Sequence, residues 1–212
     1  MKLQNTIIPE QVLCVAAVKY ATSEQIENLI RDGFTTLGWS TAQQFHKLHK
    51  ILPSNCRHHF IGHLQSNKVP KLLQSEIDLI HSVDSTDLIS ALDTTANSKS
   101  KIQHILLQVR TDGTKEHGFS YEEIDEIFPW VLTKQAAVVQ GFMTIPPLTD
   151  NPEENRSVYK RMREFRDAME KKYQVSLPYL SMGMSDDYEI AIEEGATIVR
   201  LGRILFEQMK KN

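Results

Sequence analysis

The sequence predicts an α/β protein folded as one (β/α)8 barrel (TIM barrel). Eight short, β-prone apolar runs alternate with amphipathic or turn-rich stretches along the whole chain. The runs are mostly uninterrupted, as in strands buried on both faces of a parallel sheet. The length of 212 residues is near the lower end for this fold, so loops must be short and a second domain has no room. An open doubly wound sheet is the competing arrangement.

Residues 12–18 (VLCVAAV) form the first run. Thr22 and Gln25 then fit a capping box, Ile26, Leu29 and Ile30 share one helical face, and Gly33 closes that helix. Residues 34–37 read as the second strand, followed by a helix through Phe45 and Leu48. Residues 59–62 are a weaker third strand, with a helix after the LQSNK segment. Residues 79–83, 104–109, 136–143, 178–182 and 196–201 complete the set. Asn151, Pro152 and Glu154 supply an N-cap, a proline at N1 and an acid at N3. An apolar stripe of Val158, Met162, Phe165 and Met169 follows. A last strong helix signal begins at Ser185-Asp186-Asp187, whose acids suit the helix dipole. It turns Ile190 and Ala191 inward and ends at Gly195.

Composition narrows the function classes. Hydrophobic residues are 41% and charged residues 24%, an ordinary globular balance. A net charge of −3 argues against a nucleic-acid binder or a binder of anionic membranes. Cys14 and Cys56 are too few and too isolated for a disulfide framework or a zinc site, and Cys14 belongs to the core of the first strand. The opening MKLQNTIIPE lacks a signal-peptide core, and no apolar run reaches about 18 residues. A cytoplasmic protein without membrane contact is expected.

In either α/β architecture, chemistry collects at the C-terminal ends of the strands. The first strand delivers Lys19 there. A lysine in a low-dielectric pocket has a lowered pKa and can form a Schiff base, whereas one at the rim simply snorkels to water. The seventh and eighth strands deliver Ser181-Met182-Gly183-Met184-Ser185 and Arg200-Leu201-Gly202-Arg203. These two turns suit phosphate, through glycines, hydroxyls, guanidinium groups and helix N-termini; ordinary βα turns are the plainer reading. His58, His59 and His63 cluster in sequence with His46 and His49 upstream. No carboxylate or further imidazole accompanies them at metal-ligand spacing, so no metal centre is expected. The basic residues between 156 and 172 alternate with Glu164, Asp167 and Glu170 and read as a solvated helix face. No Gly-x-Ser-x-Gly, Walker A or Rossmann fingerprint is present.

The segments VAAVKYAT, HFIGHLQSNKV, IHSVDS and LSMGMSDDYEIAIEEGATIVRLGRILF, in that order, resemble the pyridoxal-phosphate homeostasis protein family, also called the YggS/PROSC family. The likeness spans nearly the whole chain. It implies one barrel domain over residues 1–212, similar to the N-terminal domain of alanine racemase (the type III pyridoxal-phosphate fold). The implied cofactor is pyridoxal 5′-phosphate (PLP), carried by Lys19 as an internal aldimine. The implied phosphate ligands are Ser181, the Met182-Gly183 backbone, Gly202 and Arg203. Arg200 is implied on the pyridine side of the ring and Ile61 beneath it. Lys115, in TDGTKEHGF, matches a family lysine near the mouth of the site.

The chain also departs from the family. Only about ten residues precede the first strand, where relatives usually have a helix. The usual Gly-Glu-Asn after the second strand reads Gly38-Trp39-Ser40, so Ser40 replaces an asparagine that reaches the cofactor. Arg110 and Glu207 replace a polar asparagine and a glycine.

The resemblance implies a monomeric, non-catalytic carrier in intracellular vitamin B6 homeostasis, one that hands cofactor to PLP-dependent apoenzymes. The alternative is a type III amino-acid racemase or decarboxylase. Racemases of this fold complete their site with a β-rich second domain that supplies a tyrosine acid/base, for which eight βα units in this length leave no room. A third reading is a barrel whose divergence has abolished cofactor binding.

Overall fold

The structure, a computed structural model, describes residues 2–3, 6–111 and 117–209. Lys2–Leu3 (β1) and Thr6–Ile7 (β2) pair as a small two-stranded antiparallel sheet. Eight parallel strands then close into a barrel: Leu13–Ala17 (β3), Thr36–Trp39 (β4), Arg57–Phe60 (β5), Leu79–Val83 (β6), Gln103–Val109 (β7), Ala137–Thr144 (β8), Tyr179–Ser181 (β9) and Ile198–Leu201 (β10). Closure joins β10 to β3, with Arg200 opposite Val15 and Leu201 opposite Ala16. The open-sheet alternative is thereby excluded.

The helices that cover the barrel are those the sequence signals mark, with two additions. Ser23–Arg31 (α1) starts in the expected capping box, Thr22 with Gln25. Ala42–Leu48 (α2) and Val69–Leu72 (α3) follow. Thr86–Asn97 (α4) and Tyr121–Val131 (α5) were not marked by the sequence signals, although Ser85 caps the first and a Ser120–Glu123 capping box starts the second. Arg156–Tyr173 (α6) begins later than expected, because Asn151 caps a 3-10 turn over Pro152–Asn155. Its fully buried residue near the start is Tyr159 rather than Val158. Tyr188–Glu193 (α7) and Arg203–Met209 (α8) complete the set. Among the described residues no helix is long and apolar enough to cross a membrane.

Two strands start later than their apolar runs, for one shared reason. At the end of α1, Gly33 takes φ +93°, its N–H donates to the Ile30 carbonyl, and the Phe34 N–H donates to Leu29. At the end of α7, Gly195 and Ala196 make the same two bonds, to Ile192 and Ala191. These are Schellman motifs, in which the apolar residue after the glycine packs back on its helix. Phe34 and Ala196 therefore finish helices, and the strands begin at Thr36 and Ile198. The third strand shifts the other way, to Arg57–Phe60, because polar Arg57 and His58 pair with Thr36 and Leu37.

Side-chain alternation splits the core in two. The larger part lies between strands and helices and contains Trp39, Phe60, Phe142, Val199 and Leu201. The smaller lies inside the barrel: Val15, Leu79, Leu106, Met143 and Ile198, with Ile61 and Tyr179 packed against it. Cys14 is in the larger part, and burial pushes its thiol up to about 12.

Candidate functional site

Two residues further along each strand, toward the C-terminal mouth, the barrel interior becomes polar. His81 follows Leu79, Ser181 follows Tyr179 and Arg200 follows Ile198, all inward by the same alternation, and His59 joins them from β5. Arg200 donates from Nη1 to both the carbonyl oxygen and Oγ of Ser181 at 2.7 Å. Its Nη2 donates to the Thr144 carbonyl at 2.9 Å. Burial lowers the Arg200 pKa to about 10, which leaves the guanidinium charged at neutral pH.

The other face of Ser181 meets histidine. Ser181 Oγ lies 2.8 Å from His81 Nδ1, and His81 Nε2 lies 2.9 Å from His59 Nδ1. Arginine only donates, so Ser181 accepts from it. We assign the Ser181 O–H to His81 Nδ1 and the His81 Nε2–H to His59 Nδ1, an arrangement that uses each proton once. Burial lowers His59 to about 4 and His81 well below the ordinary histidine range, so both rings are neutral at pH 7.

Above this layer, three turns meet at one corner of the mouth. In the turn after β9, Gly183 has φ +90°, and a Cβ there would stand 2.6 Å from the Ala191 Cβ. Asp187, at the start of α7, clamps that turn to α6. Its Oδ1 accepts from the Met184 N–H at 2.7 Å, and its Oδ2 accepts from Asn155 Nδ2 at 2.8 Å and the Tyr159 hydroxyl at 2.6 Å. The turn after β10 approaches through Ile204, whose N–H donates to Ser185 Oγ at 3.4 Å. The exposed Arg203 pairs with Asp186. A Cβ on Gly202 would lie 3.3 Å from the Ala17 carbonyl oxygen, which brings the end of β3 to the same corner.

The expected site residues fall into three groups around this geometry. Met182, Gly183, Gly202 and Arg203 sit on the two converging turns, and Arg200 lies directly beneath them. Ile61 packs on the interior apolar layer, next to Gly38, where a Cβ would stand 2.9 Å from its Cδ1. Ser40 follows Gly38 by two and stands at the neighbouring strand end. Of the two placements the sequence left open for Lys19, the structure has the rim: the side chain is exposed, with its ammonium 5.0 Å from the Tyr20 ring centroid. The Ser181 hydroxyl, expected at the phosphate, is buried and engaged by Arg200 and His81. The hydroxyl at the rim of this turn is Ser185. Lys115 lies outside the described residues.

His81, Thr144, Asp187 and Tyr159 were not singled out from sequence as parts of this assembly. A polar residue at an inward position of an apolar strand, as in LIHSV, is the signal that marks His81. A cavity of about 350 Å³ between Glu76, Lys99 and His104 opens at the opposite end of the barrel. Barrel chemistry lies at the C-terminal face, and the polar layer and converging turns are there.

Residues 2–209 match the family described as alanine racemase, N-terminal domain. A pyridoxal phosphate homeostasis protein of Aquifex aeolicus is 39% identical over 198 residues, which are 92% of this chain and 86% of that one. The structure of PipY from Synechococcus elongatus PCC7942 with PLP bound superposes with a TM-score of 0.86 at 30% identity, covering 94% of each chain. An alanine racemase of Clostridium difficile 630 shares the fold at 14% identity and a TM-score of 0.75, with 53% of its length covered. The chain belongs to the pyridoxal phosphate homeostasis protein family.

Proposed function

We propose that this chain binds PLP at the mouth of one barrel domain spanning residues 1–212. It acts there without catalytic turnover, as a cytoplasmic, monomeric carrier in vitamin B6 homeostasis that supplies PLP-dependent apoenzymes. The observation that carries this reading is the buried Arg200–Ser181 pair beneath the corner where the turns after β3, β9 and β10 converge. PipY, similar over 94% of both chains, has been solved with PLP bound.

The donor set suits the cofactor. The Gly183 turn, where a Cβ would meet Ala191, leaves backbone facing the corner rather than a side chain. Met182, Gly183, Gly202 and Arg203 form the phosphate end, with Ser185 as the rim hydroxyl. An incoming phosphate competes with Asp186 for Arg203 through charge-assisted hydrogen bonds. Arg200, a permanent cation, faces the pyridine side, and Ser181 acts through Arg200 by fixing its guanidinium. Ile61 supplies the apolar surface beneath the ring, and Ser40 borders it. PLP, when bound, supplies an aldehyde that condenses reversibly with a primary amine. Lys19 offers that amine, and its exposed contact with Tyr20 is worth only about 0.5–1 kcal/mol, so the side chain can leave it. A guanidinium facing the ring nitrogen disfavours the protonated pyridinium that serves as an electron sink, which suits holding the cofactor over turning over amino acids.

Titration of the protein with PLP, followed by borohydride reduction and peptide mass spectrometry, tests the reading. One equivalent fixed on Lys19 is the expected result; no fixed cofactor, or label scattered over surface lysines, overturns it. Amino-acid turnover above about 1 s⁻¹ would replace the carrier with an enzyme.

A further inference from the structure

Across the mouth from the Arg200 corner, three side chains from three successive strand ends converge. Asp84 follows β6, His63 lies beyond β5 and His117 lies beyond β7. The Asp84 carboxylate is 8% exposed, and its Oδ2 stands 3.2 Å from Nδ1 of both His63 and His117. The two imidazoles stack, with centroids 3.9 Å apart and planes inclined by 23°. The three donor atoms all lie within 4.8 Å of one another.

We propose that His63 Nδ1, His117 Nδ1 and Asp84 Oδ2 bind a divalent transition-metal cation of the zinc class, with solvent in the remaining position. Bonds of 2.0–2.1 Å in a tetrahedral shell place neighbouring ligand atoms about 3.3 Å apart. The two 3.2 Å separations match that edge. Two imidazoles with one carboxylate suit zinc and its first-row neighbours, whereas calcium and magnesium prefer oxygen donors. Three protein ligands leave one position open, and the half-exposed rings let water reach it.

The backbone around the donors is fixed. Gly62, beside His63, approaches Ser40 so closely that a Cβ would stand 2.0 Å from its carbonyl oxygen. The Ser82 hydroxyl donates to the Gly62 carbonyl, which ties this turn to β6. The His117 carbonyl accepts from Gln108 Nε2 at 3.1 Å, and the Gly118 carbonyl accepts from Arg110 Nη1 at 2.9 Å. The donors thus stand on segments anchored to β4, β6 and β7, and closing on an ion requires chiefly that the two stacked rings swing apart. Sequence spacing could not show this, because the partners of His63 arrive from the next two strand ends and not from the nearby histidines.

Titration of the full chain with Zn²⁺ by calorimetry, and with Co²⁺ by visible absorption, tests the site. One equivalent of each is expected, with Co²⁺ giving the ligand-field bands of a tetrahedral centre. His63→Ala, His117→Ala and Asp84→Asn should each weaken Zn²⁺ binding by at least about tenfold and abolish those bands. His104→Ala, on an exposed histidine at the far end of the barrel, should change neither. Metal-free thermal midpoints of the three variants close to that of the parent separate ligand loss from misfolding. No saturable binding, or binding that survives all three substitutions, or equal weakening by His104→Ala, overturns the proposal.

Discussion

Ser181 and His81 lie 100 residues apart in sequence and meet at 2.8 Å inside the barrel. The same hydroxyl accepts from Arg200 Nη1 at 2.7 Å, so one serine joins a neutral histidine to a buried cation. Ser181→Ala leaves His81 Nδ1 without its donor and removes one of the acceptors of Arg200. An unsatisfied buried group costs about 1–3 kcal/mol, and that loss is expected in urea unfolding. Ser185→Ala, at the rim, should stay within about 0.5 kcal/mol. Its effect should fall on PLP affinity instead, about tenfold for one charge-assisted hydrogen bond of roughly 1.4 kcal/mol. Equal stability losses in the two variants would contradict this division of roles.

The interior histidines make stability depend on acid. In the folded chain His59 takes a proton only near 4, against 6.5 when unperturbed. Between those values the unfolded chain binds more protons than the folded one, so stability falls as the pH drops through that window and is fully retained above it. His81 acts in the same direction. Urea midpoints measured from about pH 7.5 down to about pH 4 should therefore decrease. His59→Gln keeps an acceptor for the His81 Nε2–H but does not titrate, so its curve should be flatter over the same range. A parallel curve for this variant would assign the acid loss to other groups.

The role proposed for Lys19 separates cofactor capture from folding. Its side chain is exposed, with the ammonium over the Tyr20 ring. Lys19→Ala should leave the unfolding midpoint within about 0.5 kcal/mol of the parent. The bound-cofactor absorption at about 420 nm should nevertheless disappear. Difference spectra during PLP titration, with urea melts on the same samples, check both halves. A retained band would move the amine role to another lysine.

The barrel was legible in the sequence because each buried strand is a short apolar run and each helix signal obeys local chemistry. Strand edges blurred where a local rule and the apolar pattern overlapped. Phe34 and Ala196 look like strand residues, yet each closes a Schellman motif. The phosphate-friendly turns were legible for a similar reason: glycine, hydroxyl and arginine stand together in sequence. The His59–His81–Ser181–Arg200 layer was not, because its members come from four strands and only barrel closure joins them. His63, Asp84 and His117 are hidden in the same way. Ser181 and Ser185 are indistinguishable by residue type, and only the inward parity of β9 separates the buried hydroxyl from the rim one.

Gly183 and Gly33 provide a matched pair for testing how tightly the corner is built. Both have φ near +90°, at +90° and +93°, so alanine at either position costs about 1–2 kcal/mol in backbone strain. They differ in surroundings. A Cβ on Gly33 meets nothing within 4 Å, whereas on Gly183 it would stand 2.6 Å from the Ala191 Cβ and 3.0 Å from the Tyr188 Cα. The second substitution must push the turn away from α7, adding an overpacking loss of about 1–3 kcal/mol. Gly183→Ala should therefore unfold at lower urea than Gly33→Ala. It should also weaken PLP binding, because the displaced backbone is the part proposed to face the phosphate, while Gly33→Ala leaves affinity unchanged. Similar midpoints with similar affinities would mean that the turn moves freely, and the corner would then owe its shape to the Asp187 clamp rather than to its packing on α7.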